Sequence, residues 1–222
     1  MTATISTTPA TTVSVRGTAR LEVDPDYGTV SFSVEAEAST SPKALERAAT
    51  VADACRAVLA DAAGVRRSEV GRVRVHERRH WSEQRDRWIA DGFAASVSGS
   101  TDVDVAEVGR VVGALVEVGA VVGWVGWSLD DDNVAHREVR KLAVGEAHRA
   151  AVDFADAVGA PLGPLVTLAD PGLLGAGVPD EGRRALYSAA VRSEPEPTEL
   201  DLDPEVQEVY ARVEACFSLG TP

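Results

Sequence analysis

His76, Glu77 and His80 are residue types that ligate metals, with the two histidines four positions apart. Two imidazoles at i and i+4 converge on one ion when they share a helix face. Here the first ends a predicted strand, and Arg78 and Arg79 put two positive charges between them. Asp130, Asp131, Asp132 and Asn133 carry the oxygen ligands that calcium prefers, but they lack the spaced ligands and glycine of a calcium loop. At the start of a helical pattern they are expected to cap the helix and meet its dipole. Asp201, Asp203 and Glu205, beside Pro204, read as a solvated linker. Gly172, Gly175 and Gly177 imitate a phosphate cradle, yet Pro171 and Pro179 bound them and no periodic helix follows. Ser96, Ser98 and Ser100 alternate along a strand with no Gly-x-Ser-x-Gly elbow and no evident His or Asp partner. No catalytic residue, metal ligand or cofactor-binding residue is assigned. The expectation is a protein that is not an enzyme and takes no cofactor.

The residues that stand out for contact rather than catalysis are Arg78, Arg79, Trp81, Arg85 and Trp88. Tryptophan with arginine is the composition enriched where proteins bind one another. The same residues also suit a loop anchor. Trp124 and Trp127, an odd number of positions apart on one strand, are expected on opposite faces. A second reading, a small-molecule pocket or enzyme site between sheet and helices, would use Trp88, Trp124 or His136.

The elements that must position these residues follow from periodicity. Val13 to Val23 and Val30 to Ala38 alternate apolar with polar residues around Asp24-Pro25-Asp26-Tyr27-Gly28, which predicts an antiparallel hairpin with one buried face. Ser41 and Pro42 open a helix striped by Leu45, Ala48, Ala49, Ala52, Cys55, Leu59 and Ala62, and Gly64 stops it. A strand over Val70–Glu77 leads into a polar segment from Arg78 to Arg87, then a strand from Trp88 to Thr101. Asp102 or Asp104 caps a helix carrying Val105, Val108, Val111, Val112 and Leu115. Val121 to Leu129 is a strand. A long helix follows to Val158, with Ala143, Ala147, Ala150, Ala151 and Phe154 facing inward and Gly159 ending it. Strands are expected at Leu165–Ala169 and Val206–Leu219, the last returning to the sheet of the first. A Gly/Pro loop, a weak strand over Arg183–Val191 and an acidic linker over Ser193–Pro204 lie between.

This order predicts an α+β fold, a mostly antiparallel sheet with helices packed on one face. One domain over residues 13–222 is expected behind a Thr-rich leader of residues 1–12, with the Gly/Pro loop and acidic linker inside 170–205. The net charge of −13 repels phosphate backbones, so nucleic acid is not an expected partner. Two cysteines, Cys55 and Cys216, are too few for a disulfide framework. No stretch suits a membrane span and no signal peptide is visible, so a cytoplasmic protein is expected. Between Arg66 and Ala90 eight arginines face four acids, whereas from Ser193 onward eight acids face the single Arg212. Opposite patches permit head-to-tail or intramolecular pairing, and a homo-oligomer is expected.

The chain resembles the SIMPL domain family, the YggE-like proteins described as a domain of unknown function. The matches are Val-x-Val-x-Gly-x-Ala at Val13–Ala19 and Pro-Asp-x-Gly-x-Val at Pro25–Val30. The Ala-rich helix from Ser41, Gly64-Val65 before the third strand, Ala-x-x-x-Gly-Ala-Pro-Leu-Gly at Ala155–Gly163 and the alternating C-terminal strand also fit. The resemblance implies an α+β fold and, in some members, ring-like homo-oligomers of the cell envelope with links to oxidative stress. It supplies no catalytic residues. Many members carry a secretion signal, which this sequence does not show. The function expected is thus an oligomeric or partner-binding scaffold.

Overall fold

The computed structural model describes residues 11–82, 86–173 and 202–221. In chain order the elements are β1 (Thr12–Val23), β2 (Tyr27–Ala38), α1 (Ser41–Asp61), β3 (Val65–Val70), β4 (Arg74–Ser82), β5 (Arg87–Asp104), α2 (Val108–Glu117), β6 (Val121–Ser128), α3 (Val134–Ala157), β7 (Leu162–Ala169) and β8 (Gln207–Leu219). They form an α+β fold with two antiparallel sheets, of strand order β1-β8-β7 and β3-β5-β2-β6, with β4 added beside β5. By contacts the chain divides into two compact units: β1, α3, β7 and β8 make one, and the elements from β2 to β6 the other.

The alternation of β1 and β2 was read correctly as two half-buried strands, but they are not partners in a hairpin. Strand β1 lies beside β8, as expected of the terminal strand, while β2 sits between β5 and β6. Alternation fixes which face is buried and leaves the neighbour open. The intervening residues are also engaged elsewhere: the Asp26 N–H donates to the Ser128 carbonyl at 2.9 Å.

In the first unit, α3 lies against β1 through Ala135, Val139, Ala143, Ala147, Ala151 and Ala155, all buried. Every step is four residues, the ridge that lets a helix lie flat on a neighbour. Phe154 is exposed and Ala150 only half-buried, which corrects the expected inner face. The reason is distance. A Cβ placed on Gly17 of β1 would collide with the Ala143 carbonyl oxygen and stand 2.6 Å from the Ala147 nitrogen. Backbone touches backbone here, so a phenylalanine has no room. Gly159, at φ +67°, ends α3, with the Ala160 N–H returning to the Ala155 carbonyl at 3.0 Å.

In the second unit, α1 and α2 cover one face of the five-stranded sheet, closing a core of Val30, Phe32, Val34, Cys55, Leu59, Val97, Val103, Val111 and Leu115 among others. The stripe of α1 is Ala44, Ala48, Ala52, Cys55 and Leu59; Leu45 points to solvent. Its N-cap is Thr40, one residue before the expected Ser41. A 3-10 turn at Val105–Glu107 precedes α2, and no side chain caps either. The expected caps are occupied: Asp102 accepts from the Thr29 hydroxyl at 2.7 Å and Asp104 pairs with Arg66 at 2.6 Å. Thr101, buried in the sheet, donates to the Arg67 carbonyl at 2.9 Å, so its hydroxyl is satisfied.

The expected strand Val70–Glu77 and the polar segment after it are two strands, β3 and β4, broken at residues 71–73. The Gly71 N–H donates to the Ser98 carbonyl at 2.9 Å, and a Cβ there would meet that same oxygen at 2.9 Å. Both strands lie on one edge of β5, β3 against Gly99–Val103 and β4 against Arg87–Ser96.

Gly17→Ala should destabilise the protein by about 1–3 kcal/mol, the usual range for overpacking. Gly145→Ala, on α3 with open space around it, should instead stabilise it by about 0.5–1 kcal/mol. Urea unfolding of both variants checks the pair; equal effects would refute the close approach.

Candidate functional site

Strand β2 pairs with β5 from Tyr27↔Asp104 to Ala38↔Phe93 and ends there. Strand β5 begins at Arg87, so its first residues run on beyond β2 and are paired only by β4. The result is a two-stranded arm. Its register is Arg79↔Ala90, His80↔Ile89, Trp81↔Trp88 and Ser82↔Arg87, after an irregularity between Glu77 and Arg79. Gly92, at φ +98°, lies opposite this irregularity, where its built Cβ would stand 2.7 Å from the Ala38 carbonyl oxygen.

Trp81 and Trp88 are therefore direct cross-strand partners. Their rings meet edge to face, with centroids 5.8 Å apart and planes at 72°. Such a pair contributes about 0.5–1.5 kcal/mol beyond area burial, yet Trp81 is 47 % and Trp88 62 % exposed. Alternation puts Arg79 and Ala90 on their face, and His80 and Ile89 on the other. Arg79 binds Glu77 at 2.6 Å. Arg78 pairs with Glu37 and stands 3.7 Å from Asp91, which also lies 3.8 Å from His80 Nδ1. Of the five expected contact residues, the structure gathers Arg78, Arg79, Trp81 and Trp88 on this arm; Arg85 lies outside the described residues. The polar segment expected over Arg78–Arg87 is, at Arg78–Ser82 and Arg87, paired strand.

The other candidates disperse. His76 stands opposite Ala94 and His80 opposite Ile89 on a strand, and no group of three His, Cys, Asp or Glu among the described residues could hold a metal. Ser96, Ser98 and Ser100 face Glu35, Ser33 and Ser31 of β2. Trp127 packs against the core while Trp124 is 55 % exposed, opposite faces as expected. The Trp124 ring lies across Gly126, whose Cβ would come within 3.2 Å of ring atom Cε3. His136 is on α3, half-buried. Asn133 caps α3, its side chain accepting from the Ala135 N–H at 2.8 Å. Gly175, Gly177, Asp201 and the segment 183–191 lie outside the described residues.

One cluster escaped the sequence reading. The Arg66 guanidinium donates through Nε to Asp104 at 2.6 Å, through Nη1 to both Asp130 oxygens at 2.8 and 2.9 Å, and through Nη2 to the Asp26 carbonyl at 2.9 Å. It also lies over the Tyr27 ring, 5.2 Å from its centroid. The hydrogen bond it donates to Asp104, then those to Asp130, push its pKa upward against desolvation. Asp130 is thus a partner of Arg66 rather than a helix cap. Its donors are directed at protein oxygens and one ring, so Arg66 fastens the end of the sheet.

The model of the SIMPL family, described as a protein of unknown function (DUF541), matches residues 13–217. No curated protein matches the chain. Among the described residues no helix is long and apolar enough to cross a membrane.

Arg66→Met should cost about 1 kcal/mol in chemical denaturation, the upper end for solvent-exposed ion pairs. Burial pushes the Cys55 thiol pKa up, against its backbone hydrogen bond and the charge of Arg56. A thiol held neutral in the fold but free to ionise once unfolded stabilises the protein below its ordinary pKa, about 8.5. That contribution is lost as pH rises towards the folded value. Cys55 should accordingly react with a thiol reagent only on unfolding, whereas half-buried Cys216 should react first. Equal rates would contradict the packing of α1.

Proposed function

The chain belongs to the SIMPL (DUF541) family, and from that premise and the geometry of the arm we propose that it is a non-enzymatic scaffold. It works by holding another polypeptide, a second copy or a partner protein, against the β4–β5 arm. The observation that carries this reading is the Trp81–Trp88 pair, opposed in register, largely solvent-exposed and beyond the last residue of β2. Water in contact with two indole rings is released when a partner covers them, which is why aromatic anchors flanked by arginine dominate binding energies. The basic run from Arg66 to Ala90 and the acidic residues from Ser193 onward supply complementary fields for encounter between copies. A stress-response setting comes to this proposal from the family resemblance.

Light scattering behind size exclusion, across protein concentration and salt, tests the reading. The wild type should associate, less so as salt rises. The Trp81→Ala/Trp88→Ala variant should dissociate at least tenfold more readily while its thermal midpoint moves by no more than a few degrees. Association that survives the double substitution unchanged would refute the arm as the contact element.

A further inference from the structure

The outer edge of β4 offers a second kind of recognition beside the tryptophans. Among the described strands β4 is hydrogen-bonded only to β5, so from Arg74 to Ser82 one side of its backbone has no strand neighbour. Such an edge is a template for another extended chain, since its N–H and C=O groups can extend the ladder. Its side chains set what pairs with it. Arg74, His76, Glu77, Arg78, Arg79 and His80 line this one strand, with Arg78 held by Glu37 and Arg79 by Glu77, so Arg74 is its arginine left to recruit. Two copies joined by their β4 edges would bring the arginines of one strand against those of the other, and like charges opposed across a ladder are destabilising. The same row favours a strand carrying carboxylates.

Charge that can be recruited is present. Arg72, Arg74 and Arg87 are exposed, and the described residues give none of them an ion pair. Nucleic acid would feel the same arginines and could stack on the indoles. It has no backbone to extend a β-ladder, however, and the net charge of −13 opposes a polyphosphate over a longer range than a short peptide. Alternation decides the rest. In an extended peptide that alternates acidic with apolar residues, carboxylates would face the Arg74, His76 and His80 side of β4. Apolar side chains would then fall on the Trp81–Trp88 side.

We propose that the β4 edge and the Trp81–Trp88 pair together bind an extended acidic segment of a partner protein as an added strand. This rests on the reading of the arm as the contact element and names the chemistry of what it contacts. Its affinity comes from backbone pairing and indole burial, and its selectivity from the arginine row.

The test uses the full chain and a fluorescein-labelled peptide alternating Glu with Leu, read by anisotropy. Three comparison probes are used: the same peptide with Gln for Glu, the same peptide N-methylated at alternate positions, and an oligothymidine. The acidic peptide should bind, with affinity falling at least tenfold on N-methylation, on Gln replacement and for Trp88→Ala. Arg74→Glu should lower it similarly. Trp88 and Arg74 are exposed, so both variants should keep the wild-type circular dichroism. On binding, amide exchange of β4 should slow at alternate residues only. Equal binding of the N-methylated peptide would overturn the added strand. Tighter binding of the oligothymidine would overturn the acidic peptide. Binding confined to a peptide of residues 193–204 would replace the partner with a second copy and overturn the proposal. If the acidic peptide fails while association remains dependent on Trp81 and Trp88, this inference falls and the scaffold reading stands.

Discussion

Strand β5 is longer than the strand that centres it. It spans Arg87–Asp104, while β2 stops at Ala38, opposite Phe93. A backbone that runs past its neighbour must find another partner for its N–H and C=O groups or leave them to water. Here β4 satisfies one side of the overhang, and the two strands become an arm with no helix required beneath them. Residues at its end need not fit a core, so large aromatic side chains can occupy it. Nearer the sheet centre the corresponding positions are Ala95 and Val97, buried under α1.

That division of labour runs through the chain. Where α3 meets β1, and where the start of α1 meets β5, the side chains are small. The Ala143 and Ala147 backbone touches Gly17, and Ala44 and Ala48 cluster with Ala95. Close packing forfeits attraction if even one methyl group is misplaced, so these surfaces tolerate little change. The large side chains go elsewhere: Trp127 lies over Gly28 at the edge of the core, Trp124 over Gly126, and Trp81 against Trp88 on the arm. Arg66 meanwhile joins Asp26, Tyr27, Asp104 and Asp130, drawing the ends of β2, β5 and β6 together beside β3. Each of those contacts is partly solvated, and their value lies in being several on one rigid guanidinium.

Much of this was legible in the sequence because it depends on local period. The alternation of β1, β2 and β8, the helix from Ser41 and the stop at Gly159 all express the geometry of one element. So did the opposite faces of Trp124 and Trp127. What escaped depends on partners distant in sequence. The separation of β1 from β2 into two sheets leaves no trace in either pattern, since each still buries one face. The break at Gly71 follows from β5 being long enough to carry two strands on one edge. Phe154 has the right spacing for an inner face, but Gly17, well over a hundred positions earlier, sets the clearance. Trp81, Trp88, Arg78 and Arg79 stood out in the sequence, and the structure places all four on the arm. Their arrangement as a register pair on a ribbon was hidden, because arginine and histidine interrupt the apolar signal of β4.

The account turns on two indoles that face each other and face water. Solvent paramagnetic relaxation of the four tryptophan side-chain N–H resonances measures this directly, together with a search for inter-ring Overhauser effects. Strong relaxation at Trp81, Trp88 and Trp124, weak relaxation at Trp127, and a cross-peak between the Trp81 and Trp88 rings are the expected results. Rings of Trp81 and Trp88 that are shielded from the probe in the monomer, or that show no contact with each other, would contradict it.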